Sequence, residues 1–281
     1  MVQVVGGEVF GNFPIHGAEN RKRILYDYIV PLALSKIWDS PVKAFDTITA
    51  KTHVLTLQSG EPGSFAQSIA GLDIALWDLA ARRVNMPLWK FLGGRCRSIS
   101  TYASGLNSTG FENIVEEKIT EGFNAFKIKV GFGREGDLQS LSKIRKLIGD
   151  RRLMIDVNQG WDLATAQENW IAYSEHNLDW IEEPIPADRP PSEWEDLALQ
   201  PGAPIAADEN LMRDEQFNNY INSKYFGFLQ PDMCKWGGFS RILPLARRSL
   251  SHGVIYCPHF LAGLIGLFAS AHCLAAAGGD S

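Results

Sequence analysis

Between residues 125 and 260 the sequence repeats an ionisable side chain at a steady interval. Lys129, Asp156, Glu182, Glu209, Asp232 and His259 follow one another at 27, 26, 27, 23 and 27 residues. Each step has the length of one strand plus one helix in a parallel β/α unit. Asp156, Glu182 and Glu209 would bring three carboxylates together from adjacent strands. Without a cation they would repel. Hard oxygen ligands with room left for water and substrate suit Mg²⁺. Such an ion could hold a substrate carboxylate and stabilise the enediolate formed when the α-proton leaves. Two bases could flank that carbon, Lys129 from one side of a barrel and His259 from the other. Lys127 beside Lys129 would make the latter easier to deprotonate. Asp232 could accept the Nδ1–H of His259 and fix its tautomer. Two opposed bases allow proton removal on one face and return on the other. They also allow removal by one base while the other, as an acid, helps a β-hydroxyl depart.

These residues need elements to aim them. From residue 97 onward short apolar runs alternate with helical stretches. Strands are expected at 98–104, 125–131, 153–159, 178–184, 204–210, 226–233 and 254–260. Helices are expected at 111–121, 136–148, 164–176, 213–222, 239–252 and 263–277. Buried parallel strands should be apolar on both faces, yet these carry charge near their C-terminal ends, where a β/α barrel builds its active site. Strand alternation would turn Lys127 and Lys129 inward together, with Phe126, Ile128 and Val130 outward. It would likewise turn Asp156 and Asn158 inward. Seven strands in this pattern suit a closed barrel, and a doubly wound sheet also remains open from pattern alone. Before residue 95 the chain reads as mostly helical, with helices over 19–38, 41–57 and 65–83. Ser64 and Gln67 would form a capping box on the last of these.

Composition sets the outer bounds. The chain has 281 residues, a formal net charge of −5, 45% hydrophobic and 21% charged residues. That is a soluble globular balance with no nucleic-acid footprint, and no apolar run is long enough to span a bilayer. Cys96, Cys234, Cys257 and Cys273 are scattered, as expected for reduced thiols in a cytoplasmic enzyme rather than a zinc or disulfide framework. Taken singly, each polar residue has a plain structural explanation. Lys-x-Lys is usually a solvated strand face, and a lone His259 would be a hydrogen-bonded structural histidine. Their recurrence at one interval favours chemistry. His16, His53, His176, His252 and His272 lack such a pattern and read as structural or surface residues. Glu183 is expected to point away from a metal and support its strand end, and Trp77 and Trp89 to pack. Lys235, past the end of strand six, is not read as a base.

The motif set resembles the enolase superfamily, within it the mandelate racemase/muconate lactonizing enzyme family and its mandelate racemase-like group. It comprises Lys127-Ile128-Lys129, Asp156-Val157-Asn158-Gln159, Trp180-Ile181-Glu182-Glu183-Pro184, Asp208-Glu209-Asn210, Gln230-Pro231-Asp232 with Lys235-Trp236-Gly237-Gly238, and Pro258-His259. The stretch from Gly71 to Leu79 resembles the helix that joins the family's capping domain to its barrel. The resemblance implies an α/β fold, a modified TIM barrel with a partial α+β N-terminal capping domain over 1–95 and the barrel over 96–281. It implies Mg²⁺ on Asp156, Glu182 and Glu209. Lys129 and the Asp232–His259 dyad would be the acid/base groups, and Lys127 and Asn158 would touch the substrate carboxylate. The reaction expected of the group is dehydration of an acid sugar, with racemisation or epimerisation of a 2-hydroxy acid as the alternative. A homo-oligomer is expected. The sequence departs from the family at both ends, where the first sheet and the eighth barrel strand are expected to be missing. A non-catalytic remnant that keeps the ligands is therefore a competing expectation.

Overall fold

The computed structural model describes residues 15–95, 98–207, 209–211, 213–223, 225–260 and 263–278. The apolar start of the chain, Cys96 and Asp208 lie outside them. Contacts divide the chain into two units, one of residues 1–99, 209–219 and 230–281, the other of 100–208 and 220–229.

The first unit begins with α1 (Ile15–Ile24), a π-helical turn (Leu25–Ile29), α2 (Val30–Leu34), α3 (Pro41–Ser59), α4 (Pro62–Arg83) and α5 (Leu88–Phe91). The single helix expected over 19–38 is interrupted. Pro31 has no N–H to donate and its ring crowds the carbonyl four residues back, so the preceding turn widens. Ser40 starts α3 by accepting the Lys43 N–H at 3.3 Å, and Gly60 ends it in the left-handed conformation at φ 67°. The capping box expected at Ser64 and Gln67 does not form. Pro62 occupies the first turn, the N-cap falls on Glu61, and Ser64 already lies inside the helix, where its carbonyl accepts from Ser68 Oγ. Ile24, Leu25, Ile29, Phe45, Ile48, Phe65, Ile69 and Leu72 form the apolar core of this part.

The second unit alternates strand and helix: β1 (Ala103–Leu106), α6 (Glu112–Thr120), β2 (Ala125–Lys129), α7 (Arg134–Ile148), β3 (Arg152–Asp156), α8 (Leu163–Ser174), β4 (Trp180–Glu182), α9 (Pro191–Ala198) and β5 (Ile205–Ala207). After α10 (Asp214–Ser223) comes β6 (Phe226–Leu229). Each strand pairs in parallel with the next in chain order, β1 through β6. That is the β/α topology read from the repeat. Helix α9, between the fourth and fifth strands, was not expected; its eight residues carry too short a pattern to stand out. The strands are also shorter than expected. Asn158, Gln159 and Glu183 have φ of 49°, 63° and 42°, so the chain leaves the pleat at these polar residues. Asn158 therefore lies beyond β3 and does not share a strand face with Asp156.

The first unit resumes after β6 with α11 (Gly238–Ser251), β7 (Ile255–Tyr256) and α12 (Leu264–Ala277). Asp73 of α4 anchors the start of α11. Its carboxylate accepts the Ser240 N–H at 2.9 Å and the Ser240 hydroxyl at 2.5 Å, while Trp77 Nε1 donates to the same hydroxyl oxygen at 2.9 Å. Gly238, at φ 61°, is needed there: a Cβ would fall 2.5 Å from Asp73 Oδ2. Asp73 is 1% exposed. Burial raises its pKa to about 7, with the Ser240 donors pulling the other way. A carboxyl whose folded pKa exceeds its unfolded one favours folding most at low pH. Its contribution is lost as pH climbs from about 4 through about 7. Denaturant titrations across that window should show wild type losing stability faster than Asp73→Asn; parallel profiles would count against a protonated Asp73.

Candidate active site

Lys129, Asp156 and Glu182 are the last residues of β2, β3 and β4. Register pairs Lys129 with Asp156 and Asp156 with Glu182, so the three form one row across neighbouring strand ends. Phe126 and Ile128, fully buried on the alternate face, hold β2 in this register. Lys129 Nζ lies 2.7 Å from Asp156 Oδ2 and also donates to Asn158 Oδ1. Asn158 N–H returns to Asp156 Oδ1 at 2.9 Å. Lys127 is buried; its ammonium donates to Glu182 Oε1 and stands 3.7 Å from Asp156 Oδ2. Burial disfavours that ammonium, but Glu182, Tyr102 and Asp156 outweigh the penalty and hold its pKa above the ordinary lysine value. Lys127 thus stands in the site as an ammonium paired with carboxylates. Trp180 Nε1 donates to Glu182 Oε2 at 3.0 Å.

The first unit carries the remaining groups, in loops rather than strands. Glu209 lies two residues beyond β5, Asp232 three beyond β6 and His259 three beyond β7. His259 Nδ1 is 2.9 Å from Asp232 Oδ2, and Nε2 is 2.7 Å from Glu209 Oε2. The first distance is the hydrogen bond expected from the sequence. Burial works against the imidazolium, but Asp232 and Glu209 raise the pKa of His259 to about 9. Burial also opposes ionisation of Glu209, yet His259 and Lys235 lower its pKa to about 2. Asp232 Oδ1 accepts the N–H of Cys234 at 2.7 Å and of Lys235 at 3.2 Å.

Sequence reasoning passed over three residues that touch these groups. Lys235, set aside as lying beyond its strand, is buried and donates to Glu209 Oε1 at 3.0 Å. Trp180 could have been found, since residues two apart on a strand share a face and it precedes Glu182 by two. Asn210 accepts from Lys235. His272 accepts the Trp89 N–H at 3.1 Å, a structural role as expected. Among the described residues no group of three His, Cys, Asp or Glu side chains is gathered as a metal cluster. The acidic groups instead meet lysine or histidine. The chemistry of the donors still fits a hard divalent ion. Asp156 and Glu182 are adjacent, oxygen-only and only 3% and 2% exposed at the side chain.

Comparison with known proteins agrees with this architecture. Residues 3–93 match the mandelate racemase/muconate lactonizing enzyme N-terminal domain, and residues 111–281 match the enolase C-terminal domain-like family. The chain belongs to the mandelate racemase/muconate lactonizing enzyme family of the enolase superfamily. Its fold is accordingly the modified TIM barrel with an N-terminal capping domain. D-galactarolactone cycloisomerase of Agrobacterium fabrum is 35% identical over 71% of the chain and 55% of its own length. L-talarate/galactarate dehydratase of Salmonella typhimurium is 33% identical over 84% of the chain and 61% of its own length. The chain thus spans less than two thirds of these two relatives. A crystal structure of a mandelate racemase/muconate lactonizing enzyme from Bordetella bronchiseptica superposes with a TM-score of 0.93 at 46% identity, over 96% of this chain and 75% of that one. L-talarate dehydratase from Polaromonas, solved with Mg and L-glucarate, gives 0.74 at 30% identity, over 88% and 69%. No helix among the described residues is long and apolar enough to cross a membrane.

Proposed function

We propose that this chain removes the proton α to a carboxylate and expels a β-hydroxyl, as an Mg²⁺-dependent acid-sugar dehydratase. The observation that carries this reading is the Asp232–His259 pair, a buried carboxylate on a part-buried imidazole, Oδ2 to Nδ1 at 2.9 Å. With Nδ1–H fixed on Asp232, Nε2 is the nitrogen that exchanges a proton with substrate. Asp156, Glu182 and Glu209 are the proposed cation ligands. A bound Mg²⁺ would neutralise the substrate carboxylate and lower the cost of charge built up at the α-carbon. Lys127 and Asn158 would orient that carboxylate. Lys129 Nζ would take the α-proton as the Cα–H bond breaks. His259 would give its Nε2 proton to the β-hydroxyl, so the Cβ–O bond breaks, water leaves and an enol remains that tautomerises to a 2-keto acid.

The names of the relatives support an acid sugar as the substrate class. A 2-hydroxy-acid racemase, in which the second base returns the proton to the opposite face, is the alternative. The N-succinyl-L-Arg/Lys racemase of Bacillus cereus, at 27% identity, supports racemisation as a reaction type, on an N-succinyl amino acid in that protein. We place the domain division at 95/96, in keeping with the family matches that end at 93 and start at 111. A cytoplasmic location fits the free thiols of Cys234, Cys257 and Cys273, and a homo-oligomer is proposed on the family resemblance alone. The test is a panel of acid sugars with Mg²⁺, with 2-keto acid trapped as its semicarbazone. Dehydration predicts product from at least one member. No product from any, with the cation bound, would reject it.

A further inference from the structure

Four residues, Glu209 among them, close a ring of polar contacts. Lys235 Nζ lies 3.0 Å from Glu209 Oε1, and Glu209 Oε2 lies 2.7 Å from His259 Nε2. His259 Nδ1 lies 2.9 Å from Asp232 Oδ2, and Asp232 Oδ1 accepts the backbone N–H of Lys235 at 3.2 Å. Lys235 therefore enters the ring twice, by its backbone and by its ammonium. Its side chain is 8% exposed, and a buried ammonium is costly unless paired and hydrogen-bonded. Here the pairing is met by Glu209 and, at 3.3 Å, by Asn210 Oδ1.

The geometry points to Lys235 as a positioning residue for Glu209. A glutamate has three side-chain torsions, and a carboxylate at a loop position would sample several of them. By holding Oε1, Lys235 leaves Oε2 as the oxygen presented to His259 Nε2. The orientation of Glu209 and the placement of the imidazole are then set together. Asp232 serves both ends of this arrangement. One of its oxygens fixes the imidazole, and the other fixes the turn from which Lys235 reaches back. Lys235 acts on the reaction through Glu209 and is not itself a base. The consequence for turnover rests on the proposed function; the consequence for the geometry of Glu209 does not.

The test compares crystal structures and kinetics of wild type, Lys235→Met and Lys235→Arg. In Lys235→Met, Glu209 should swing away so that Oε2 leaves hydrogen-bond distance of His259 Nε2. The same variant should lose about 100-fold in kcat, because Glu209, one of the proposed cation ligands, is then misplaced. KM should stay within about threefold, because Lys235 does not touch substrate. Arginine should restore both the Glu209 orientation and most of kcat, as loss of mere packing would not require. If Lys235→Met fails to fold, Lys235→Leu, which likewise has no donor, takes its place under the same criteria. Glu209 Oε2 remaining on Nε2 in the variant, or kcat within about threefold of wild type, overturns the inference. If the wild-type chain turns over no acid at all, the proposed function fails, and the crystallographic position of Glu209 alone decides the role of Lys235.

Discussion

Replacing His259 with asparagine is expected to lower the rate of dehydration by about 10³-fold, the usual contribution of a positioned acid or base. Asparagine keeps a hydrogen-bond donor near Asp232, so the buried carboxylate stays satisfied. It has no nitrogen that can carry a proton at the position of Nε2. Lys129→Met should cause a loss of similar size, because it deletes the amine in the row with Asp156 and Glu182. Lys129 is 31% exposed at its side chain, so removing it leaves no deeply buried partner charge except Asp156, which keeps Lys127 at 3.7 Å. Both variants should keep a cooperative melt. Steady-state rates on the substrate identified from the acid-sugar panel check the prediction, and full activity in both would mean that the bases are misassigned.

Glu182→Leu is expected to cost about 3 kcal/mol of stability in the absence of divalent ions, the scale for breaking a buried ion pair on one side. Lys127 is 6% exposed and Glu182 2% exposed at the side chain, so the ammonium loses its nearest counter-charge with little access to water. Trp180 Nε1 loses its acceptor as well. The double variant Lys127→Met with Glu182→Leu should recover much of the loss, because neither charge then remains buried. Equilibrium unfolding with chelator present measures all three proteins. A double variant no better than Glu182→Leu would show that packing, and not charge, dominates at this position.

The residue types that form the two clusters were legible because charge is expensive inside a parallel strand. Its recurrence at one β/α interval therefore stands out from a single sequence. The pairing of His259 with Asp232 was legible from that interval alone, since both residues lie in loops three residues past their strands. What escaped was set by backbone conformation beyond the strand ends. Asn158 and Glu183 adopt left-handed φ values that no alternation rule anticipates. Lys235 looked remote because it lies six residues past the end of β6, but the Asp232 turn directs its side chain back to Glu209. The interrupted first helix follows from Pro31, a residue whose effect reaches one turn backwards. The failed capping box at Ser64 follows from Pro62 in the same way.

The most direct test of the central claim follows the α-proton itself. The chain is incubated in D₂O with acid sugars and 2-hydroxy acids, with Mg²⁺ or with chelator, and the Cα–H signal is followed by proton NMR. The prediction is that at least one acid loses that signal with Mg²⁺ present and retains it with chelator, and that Lys129→Met slows the loss. Saturated Mg²⁺ binding with every Cα–H signal intact and no water lost would contradict the account.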